Sequence, residues 1–573
     1  MRRTLGWALI ALLIFGLVAA GCNRKPVEPS AEQPKEEQYL DLNLGGEPPQ
    51  LDPQLAADPL SFSIIRATME GLTRPDRNGE TKPGSGLAET WSVSADGTEY
   101  VFKLRDAWWS DGTPITAGDF EFAWKRAIDP RSASEYAYQM YYLRNAEAVN
   151  SIAVPDKKKY QGREDEYKKA LDEAGQRIDQ GLKTVGVKAV DPKTLEVTLE
   201  RPTAFWLGLT AFPTYIPAQQ AAVQKFGDKF AADADKQTFS GPFKIARWTH
   251  TTEMILVKND DYWDAKSVKL SRIHLQMVKD NQTALNLYDT GGLDATAVGP
   301  KFIGAYRDKG LRQLPEAATF YLVFNTKRPL FANAKIRRAL SLAIDRQRFV
   351  EKVFGDGALP ATGLTPPTIH GVNGEPFHNR VGDVLPVSAD AVKARDLLDQ
   401  GLKELNLNEF PKDIELLGDD SDRAKRIDQA IQEFWRLNLG VGIKIKRVDF
   451  KTSLSLRYRR DFDIAIAGWN ADFDDPQTFL EMWVTGGTYN DPQWSNKQYD
   501  DYVKVAKTSV NPEERMKALA DAEQLLLDES PIAPIYFRSR NYLEKPYVKG
   551  VARFVVGPDS DWKWAYTKGR PKK

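Results

Sequence analysis

Apolar positions along the chain fall into two rhythms. TEYVFKL (98–104) alternates and is rich in strand formers, which predicts a half-buried strand. GVKAV (186–190) and TLEVTLE (194–200) predict a hairpin around the turn DPK. ITAGDFEFAWKRAI (115–128) reads as a helix capped by Thr116, with Phe120, Phe122, Ala123 and Ala127 on its apolar side. KIRRALSLAIDRQRFVEKVF (335–354) predicts one helix, since Ile336, Leu340, Ala343, Ile344 and Val350 recur at helical spacing. RIDQAIQEFWRLNLGVGIKIKRVDF (426–450) predicts a helix, a glycine stop and a strand; ERMKALADAEQLLLDES (514–530) predicts a further amphipathic helix. FDIAIAG (462–468) reads as a buried strand, and PQTFLEMWV after it suggests a helix.

Two segments break the pattern. PDKKKYQGREDEYKKALDEAGQRIDQ (155–180) is mostly charged but keeps Tyr167, Leu171, Ala174 and Ile178 on one face, which predicts a helical insertion on the surface. At the other extreme, Arg2 and Arg3 precede the apolar run LGWALIALLIFGLVAAG, which ends in small residues at Cys22. A basic start, an apolar stretch and a small-residue exit read as an export signal over 1–21. The alternative is an uncleaved anchor, because about 17 apolar residues just span a bilayer. NRKPVEPSAEQPKEEQ follows, with proline and charge and almost nothing to bury, so 22–38 reads as a flexible tether.

Composition then narrows the partners. With 573 residues, more than one hydrophobic core is expected. Basic and acidic residues balance at 79 each, so there is no global attraction for nucleic acid or anionic lipid. Cys22 is the single cysteine, which excludes an intramolecular disulfide. The four histidines are scattered, GDDSD (418–422) lacks the spaced ligands of a calcium loop, and GQRIDQGLKT (175–184) has the wrong spacing for a phosphate loop. No metal, cofactor or catalytic motif is predicted. GWNADFDDPQTFLE (468–481) carries the unusual chemistry: three carboxylates within four residues beside Trp469. Asp472, Asp474 and Asp475 are either turn and capping acids, or one of them awaits a cation.

Several segments together resemble the extracytoplasmic solute-binding proteins of peptide ABC transporters, the oligopeptide-binding group. The stretches are GGEPPQLDPQLAAD (45–58), GLAETWSVSADGTEYVFKLRDAWWSDGTPITAGDFEFAWKRAIDP (86–130), SGPFKIARW (240–248), YLVFNTKRPLFANAKIRRALSLAIDR (321–346) and GWNADFDDP (468–476). AAGC is similar to a lipoprotein cleavage box, with Ala19 where leucine is usual, and implies lipidation at Cys22. The resemblance implies an α/β fold, a two-lobed type II periplasmic-binding-protein clamshell with an extra third domain. Lobe I is then 39–69, 220–317 and 540–573, the extra domain 70–219, and the remaining lobe 318–539. The implied function is not enzymatic: a monomer, lipid-anchored outside the bacterial membrane, captures oligopeptides and passes them to an ABC permease driven by separate ATPase subunits. Relatives of the same fold suggest alternatives: another solute (a nickel chelate, an opine or a cell-wall peptide), or peptide sensing without import. A secreted hydrolase using Asp472 with Asp474 or Asp475 is the remote alternative.

The same resemblance implies that Asp472 receives a peptide's amino-terminal ammonium, with Asn470 and Ala471 offering backbone contacts. Trp469, Tyr136, Tyr321 and Tyr536 are implied pocket walls, though each tyrosine taken alone reads more readily as core. Arg457 is implied to bridge lobes or ligand, against a plain salt bridge. Basic groups that meet a peptide carboxylate in some members are replaced here by Ile466, Phe354 and Ala424, leaving Arg423 or Arg538 to compensate.

Overall fold

The computed structural model describes residues 37–571 apart from Asn78, Glu80, Ala204, Val510 and 557–559. Cys22, the export signal and the tether as far as 36 therefore lie outside the described residues. From Gln38 onward the chain forms one compact unit. Gln38 already belongs to it, because its amide exchanges two hydrogen bonds with the backbone of Thr567.

The strands that organise the body are β1 (Tyr39–Asn43), β2 (Ala88–Val93), β3 (Glu99–Leu104), β4 (Val187–Asp191), β5 (Thr194–Thr198), β6 (Phe243–Thr249), β7 (Glu253–Lys258), β8 (Arg272–Gln276), β9 (Ala295–Ala297), β10 (Arg312–Phe324), β11 (Leu359–Pro360), β12 (Glu415–Asp419), β13 (Lys444–Val448), β14 (Ile464–Asn470) and β15 (Ile532–Glu544). β2, β3, β5 and β4 form a separate four-stranded antiparallel sheet, which includes the predicted hairpin. The large sheet runs β13-β12-β14-β10-β15-β9-β1-β8-β7-β6, with β11 on β15.

β10 and β15 are the long antiparallel strands that join its two halves. One end of the pair carries β14 on β10, and the other carries β9 on β15. Their register slips between Pro315 and Thr319, a bulge that turns Glu316 and Ala317 out of the ladder. The expected lobe boundaries at 317/318 and 539/540 fall within these two strands.

Alternation along the strands separates two cores on opposite faces of the sheet. Leu322 and Phe324 join Ile464 and Ile466 on one face, while Tyr321 and Val323 join Ala465 and Ala467 on the other. A third core spans residues from Leu40 to Met277 and takes in Val548, Trp562 and Ala565 near the C-terminus. Phe473 belongs to this third core although its sequence neighbours Ala471 and Phe479 do not.

Most predicted helices form where their spacing placed them. Ala117–Ile128 is capped by Thr116, with Asp119 completing a reciprocal capping box. Asp422–Leu439 starts at the cap Ser421, so GDDSD spans the end of β12, a short turn and the start of this helix. It ends at Gly440, whose φ of 69° suits glycine. Pro512–Glu529 is the last long helix. The charged insertion is helical over Glu164–Leu182, burying Ala174 and Ile178 while Leu171 stays exposed.

The single helix expected over 335–354 is a correction. Ala334–Leu342 stops, Asp345 accepts a hydrogen bond from the Arg348 backbone as a new cap, and Phe349–Phe354 closes as a π-turn. Buried Arg346 fixes the break by donating to the Pro534 carbonyl and to Ser341 Oγ.

Candidate functional site

β14 delivers the GWNAD segment. Its first residues, Ile464 and Ala465, pair with β12, and one flank from Ile464 to Asn470 pairs with β10. Beyond Ala465 the flank toward β12 carries no strand among the described residues. Ala471 N–H donates to the Ala317 carbonyl in the bulge (2.7 Å), and Asp472 N–H donates to Thr478 Oγ1 (3.1 Å). Trp469 Nε1 reaches the same hydroxyl at 3.4 Å. Asp472 is thus held just past the end of β14, with its own N–H and that of Ala471 already bonded.

Its carboxylate faces a segment more than 330 positions away. Gln139 Nε2 donates to Oδ2 at 2.7 Å, Tyr138 OH to Oδ2 at 3.2 Å and Tyr136 OH to Oδ1 at 3.5 Å. Tyr138 and Gln139 lie within the short 3-10 turn Ala137–Met140, and Tyr136 caps it. Among the described residues no lysine, arginine or histidine pairs with Asp472. Burial therefore pushes its carboxyl up to about 8, the three donors pulling against that and Glu481 adding to it. Asp472 is thus an acid in an aromatic box with no basic partner among the described residues. The box is Tyr136, Tyr138, Tyr489 and Trp469: Tyr489 sits 5.4 Å from Tyr138 and 4.9 Å from Trp469 by ring centroids.

The box lies on a seam between residues 135–142 and 205 on one side and 458–515 on the other. Tyr458 OH donates to Glu135 (3.0 Å), Tyr489 OH to the Glu135 carbonyl (3.3 Å) and Tyr142 OH to Glu481 (3.2 Å). Phe205 and Phe473 stack across it. Asp475, expected among the solvated or capping acids, does cap Gln477 but is buried in a bidentate pair with Arg515, both contacts 2.6 Å. Asp474 is exposed and bonded to His370.

A cavity of about 1630 Å³ reaches Arg538. It is lined on one side by Glu316, Arg538 and Arg540 from the crossing strands and by Arg423 and Arg426, and on the other by the 45–51 loop, Trp248 and His250. Asp472 does not line it. The link is Asn470, whose side-chain oxygen accepts from Arg538 at 3.0 Å.

Of the residues expected from sequence, Asp472, Tyr136 and Trp469 come together, and Asn470 connects them to the cavity. Ala471 is buried and its N–H is spent on Ala317, so it has no N–H for a ligand. Tyr321 is a core residue against Trp483, 5.5 Å by centroids. Tyr536 is fully buried, stacked on Phe320 and bonded to Arg423. Arg457 is corrected from a bridging role: it pairs with buried Asp491 (2.7 Å), and its neighbour Tyr458 crosses the seam instead. Strand alternation sends Tyr321 inward, which spacing alone did not assign. Tyr138, Gln139 and Tyr489 were not anticipated; the aromatic run YAYQMYY (136–142) was the available signal.

Long strands crossing between two halves of one sheet, an extra sheet domain and an acid at the seam define a solute-binding clamshell of the type II periplasmic class. The chain belongs to the bacterial extracellular solute-binding proteins, family 5, whose model matches residues 82–491. It is 35% identical over 561 residues to the oligopeptide-binding protein OppA of Bacillus subtilis (strain 168), covering 95% of this chain and 96% of that one. The dipeptide-binding protein DppE of the same organism is 32% identical over 570 residues, 99% of each chain. The solved structure of Listeria monocytogenes OppA bound to peptide superposes with a TM-score of 0.81 at 34% identity, over 93% of this chain and all of that one.

Proposed function

We propose that this chain is the receptor of an ABC-type importer, capturing oligopeptides between lobes that close on them and delivering them to a membrane permease. Lobe I is 39–69, 220–317 and 540–573, the extra domain is 70–219 and the second lobe is 318–539. Asp472 receives the peptide ammonium, the open flank of β14 at Gly468–Asn470 takes the peptide backbone as an added strand, and the cavity beyond Asn470 takes its side chains. A mixed lining of arginines and acids in that cavity suits varied sequences better than one fixed ligand. Cys22 carries the lipid that keeps the receptor near its permease.

The observation that carries this reading is Asp472 set in its aromatic box with no basic partner among the described residues. A primary ammonium pairs strongly with such an acid, and a blocked terminus leaves the acid buried alone, which separates free from acetylated peptides by about 2–4 kcal/mol. Mass spectrometry of ligand released from purified protein is expected to give short peptides with free amino termini. Calorimetry with a free peptide and its acetylated twin then tests the residue: Asp472→Asn is expected to stay folded and to lose most of the preference. A haem, a sugar or a metal complex in the released fraction would remove the peptide assignment.

A further inference from the structure

Gln139 is fully buried and donates through Nε2 to Asp472, yet its side-chain carbonyl oxygen, also buried, accepts no hydrogen bond among the described residues. A carbonyl removed from water and left without a donor is unfavourable, and folded proteins keep few of them. Its position gives it a use. The nitrogen and oxygen of an amide are about 2.2 Å apart, from standard bond lengths. With Nε2 at 2.7 Å from Asp472 Oδ2, Oε1 is no further than about 5 Å from that carboxylate oxygen. A nitrogen at normal hydrogen-bonding distance from both oxygens fits any separation up to about 5.6 Å.

We infer that Gln139 is a specificity residue of the ammonium site: Oε1 accepts one N–H of the ligand's ammonium while Asp472 accepts another. This rests on the reading that Asp472 receives a peptide terminus. A carboxylate has about four lone-pair sites. Tyr138 and Gln139 occupy Oδ2 and Tyr136 approaches Oδ1, which leaves the carboxylate room for little more than one further donor. The remaining N–H groups of a primary ammonium need other acceptors, and Gln139 Oε1 is the buried one at hand. The consequence is selection by number of N–H groups as well as by charge. An N,N-dimethylated terminus is still a cation but has one N–H, so it pairs with Asp472 and leaves Gln139 unanswered.

Three ligands separate these effects: one peptide with a free, a dimethylated or an acetylated amino terminus. Acetylation removes the charge and reports on Asp472; dimethylation keeps it and reports on Gln139. The wild-type protein is expected to bind the free peptide at least about 10-fold more tightly than the dimethylated one, the scale of one hydrogen bond to a charged group. In Gln139→Met, which keeps the length and removes the acceptor, that ratio is expected to fall severalfold, while the preference over the acetylated peptide persists. Gln139→Glu retains an acceptor and is expected to keep the dimethyl ratio. Tyr138→Phe removes a donor to Asp472 and is expected to weaken free and dimethylated peptides by the same factor. If Gln139→Met weakens both cationic peptides equally, the amide only positions Asp472 or holds a water, and the inference is overturned. If Asp472→Asn leaves all three affinities unchanged, the underlying ammonium reading is what has failed.

Discussion

Phe205 and Phe473 lie face to face, with ring centroids 4.4 Å apart and planes only 3° from parallel. One follows the four-stranded sheet and the other follows Asp472, so the stack closes the seam directly beside the acid. Arg515 adds its guanidinium 5.4 Å from the Phe205 ring while it holds Asp475. An aromatic pair contributes about 0.5–1.5 kcal/mol beyond the area it buries. In the proposed opening of the lobes these rings part. Phe205→Ala is therefore expected to shift the population toward an open form and to weaken peptide binding about 3–10-fold, mainly through faster release. X-ray scattering of the liganded variant, showing a larger radius than wild type, checks the cause; unchanged release and radius would mean that the stack plays no part in closure.

The acid beside that stack makes stability depend on pH. Asp472 is raised from 3.8 to about 8 by burial, so its neutral form is the one the folded, empty protein favours. The stability this contributes is complete below pH 4 and is lost as pH rises through 8. Asp472→Asn cannot ionise. Its melting temperature is expected to match wild type near pH 4 and to exceed it progressively up to pH 9, by roughly 2–4 kcal/mol in stability terms. Parallel melting curves at every pH would show that Asp472 is already ionised in the empty protein.

The same shift makes peptide binding release a proton. At pH 6.5 the empty site holds a carboxylic acid, and an arriving ammonium favours the carboxylate. Calorimetry in two buffers of different ionisation enthalpy is expected to report close to one proton released per peptide at pH 6.5, no net exchange near pH 8, and an uptake by pH 9, where the free amine has lost its own proton. Affinity is expected to rise up to about pH 8 and then fall as the peptide amine, near 7.7–8.0 in free form, loses its own proton. A proton count of zero at pH 6.5 would separate Asp472 from the ligand's charge.

The secondary structure was largely legible because it depends on local rhythm. Alternation at 98–104 and the caps at Thr116 and Gly440 are read within a few residues. The break at Ala343–Asp345 was not, because it depends on where Arg346 finds acceptors, and Pro534 is 188 positions away. The site divides the same way. Asp472 stood out through family likeness and its company of carboxylates, but its donors come from 136–139, and nothing in either segment encodes the other. Tyr321 and Tyr536 look like pocket aromatics until the sheet face on which each lies is known.

Arg457 illustrates a residue whose charge serves the fold. It is largely buried and pairs with Asp491, which also bonds Arg460 and is itself 3% exposed. Removing one partner of a buried pair costs about 3–5 kcal/mol, because the other charge remains in a low-dielectric place. Because Arg460 still holds Asp491, Arg457→Met is expected to lower stability by less than that, about 1.5–3 kcal/mol in denaturant titration, while the fraction that folds binds peptide with near-normal affinity. A large affinity loss with unchanged stability would return Arg457 to the ligand.

Glu316 holds the cavity wall together at the bulge. Its carboxylate bonds Arg538 and Arg540, and Arg538 in turn bonds Asn470, two residues from Asp472. Burial alone would raise its pKa, but the two guanidinium groups outweigh this and hold it below the usual glutamate value. The stability it contributes is present above pH 4.5 and is lost as pH falls through the depressed value. Glu316→Gln keeps the shape and removes the charge from between two arginines. At pH 7 it is expected to cost about 3–5 kcal/mol, with the gap to wild type narrowing in strong acid as the native carboxylate protonates. Because Arg538 also anchors Asn470, the variant is expected to loosen the end of β14 and to weaken peptide binding several-fold. Amide hydrogen exchange at Gly468–Asn470 checks that link: faster exchange there than in β12 supports it, and equal protection in both proteins would confine Glu316 to the cavity wall.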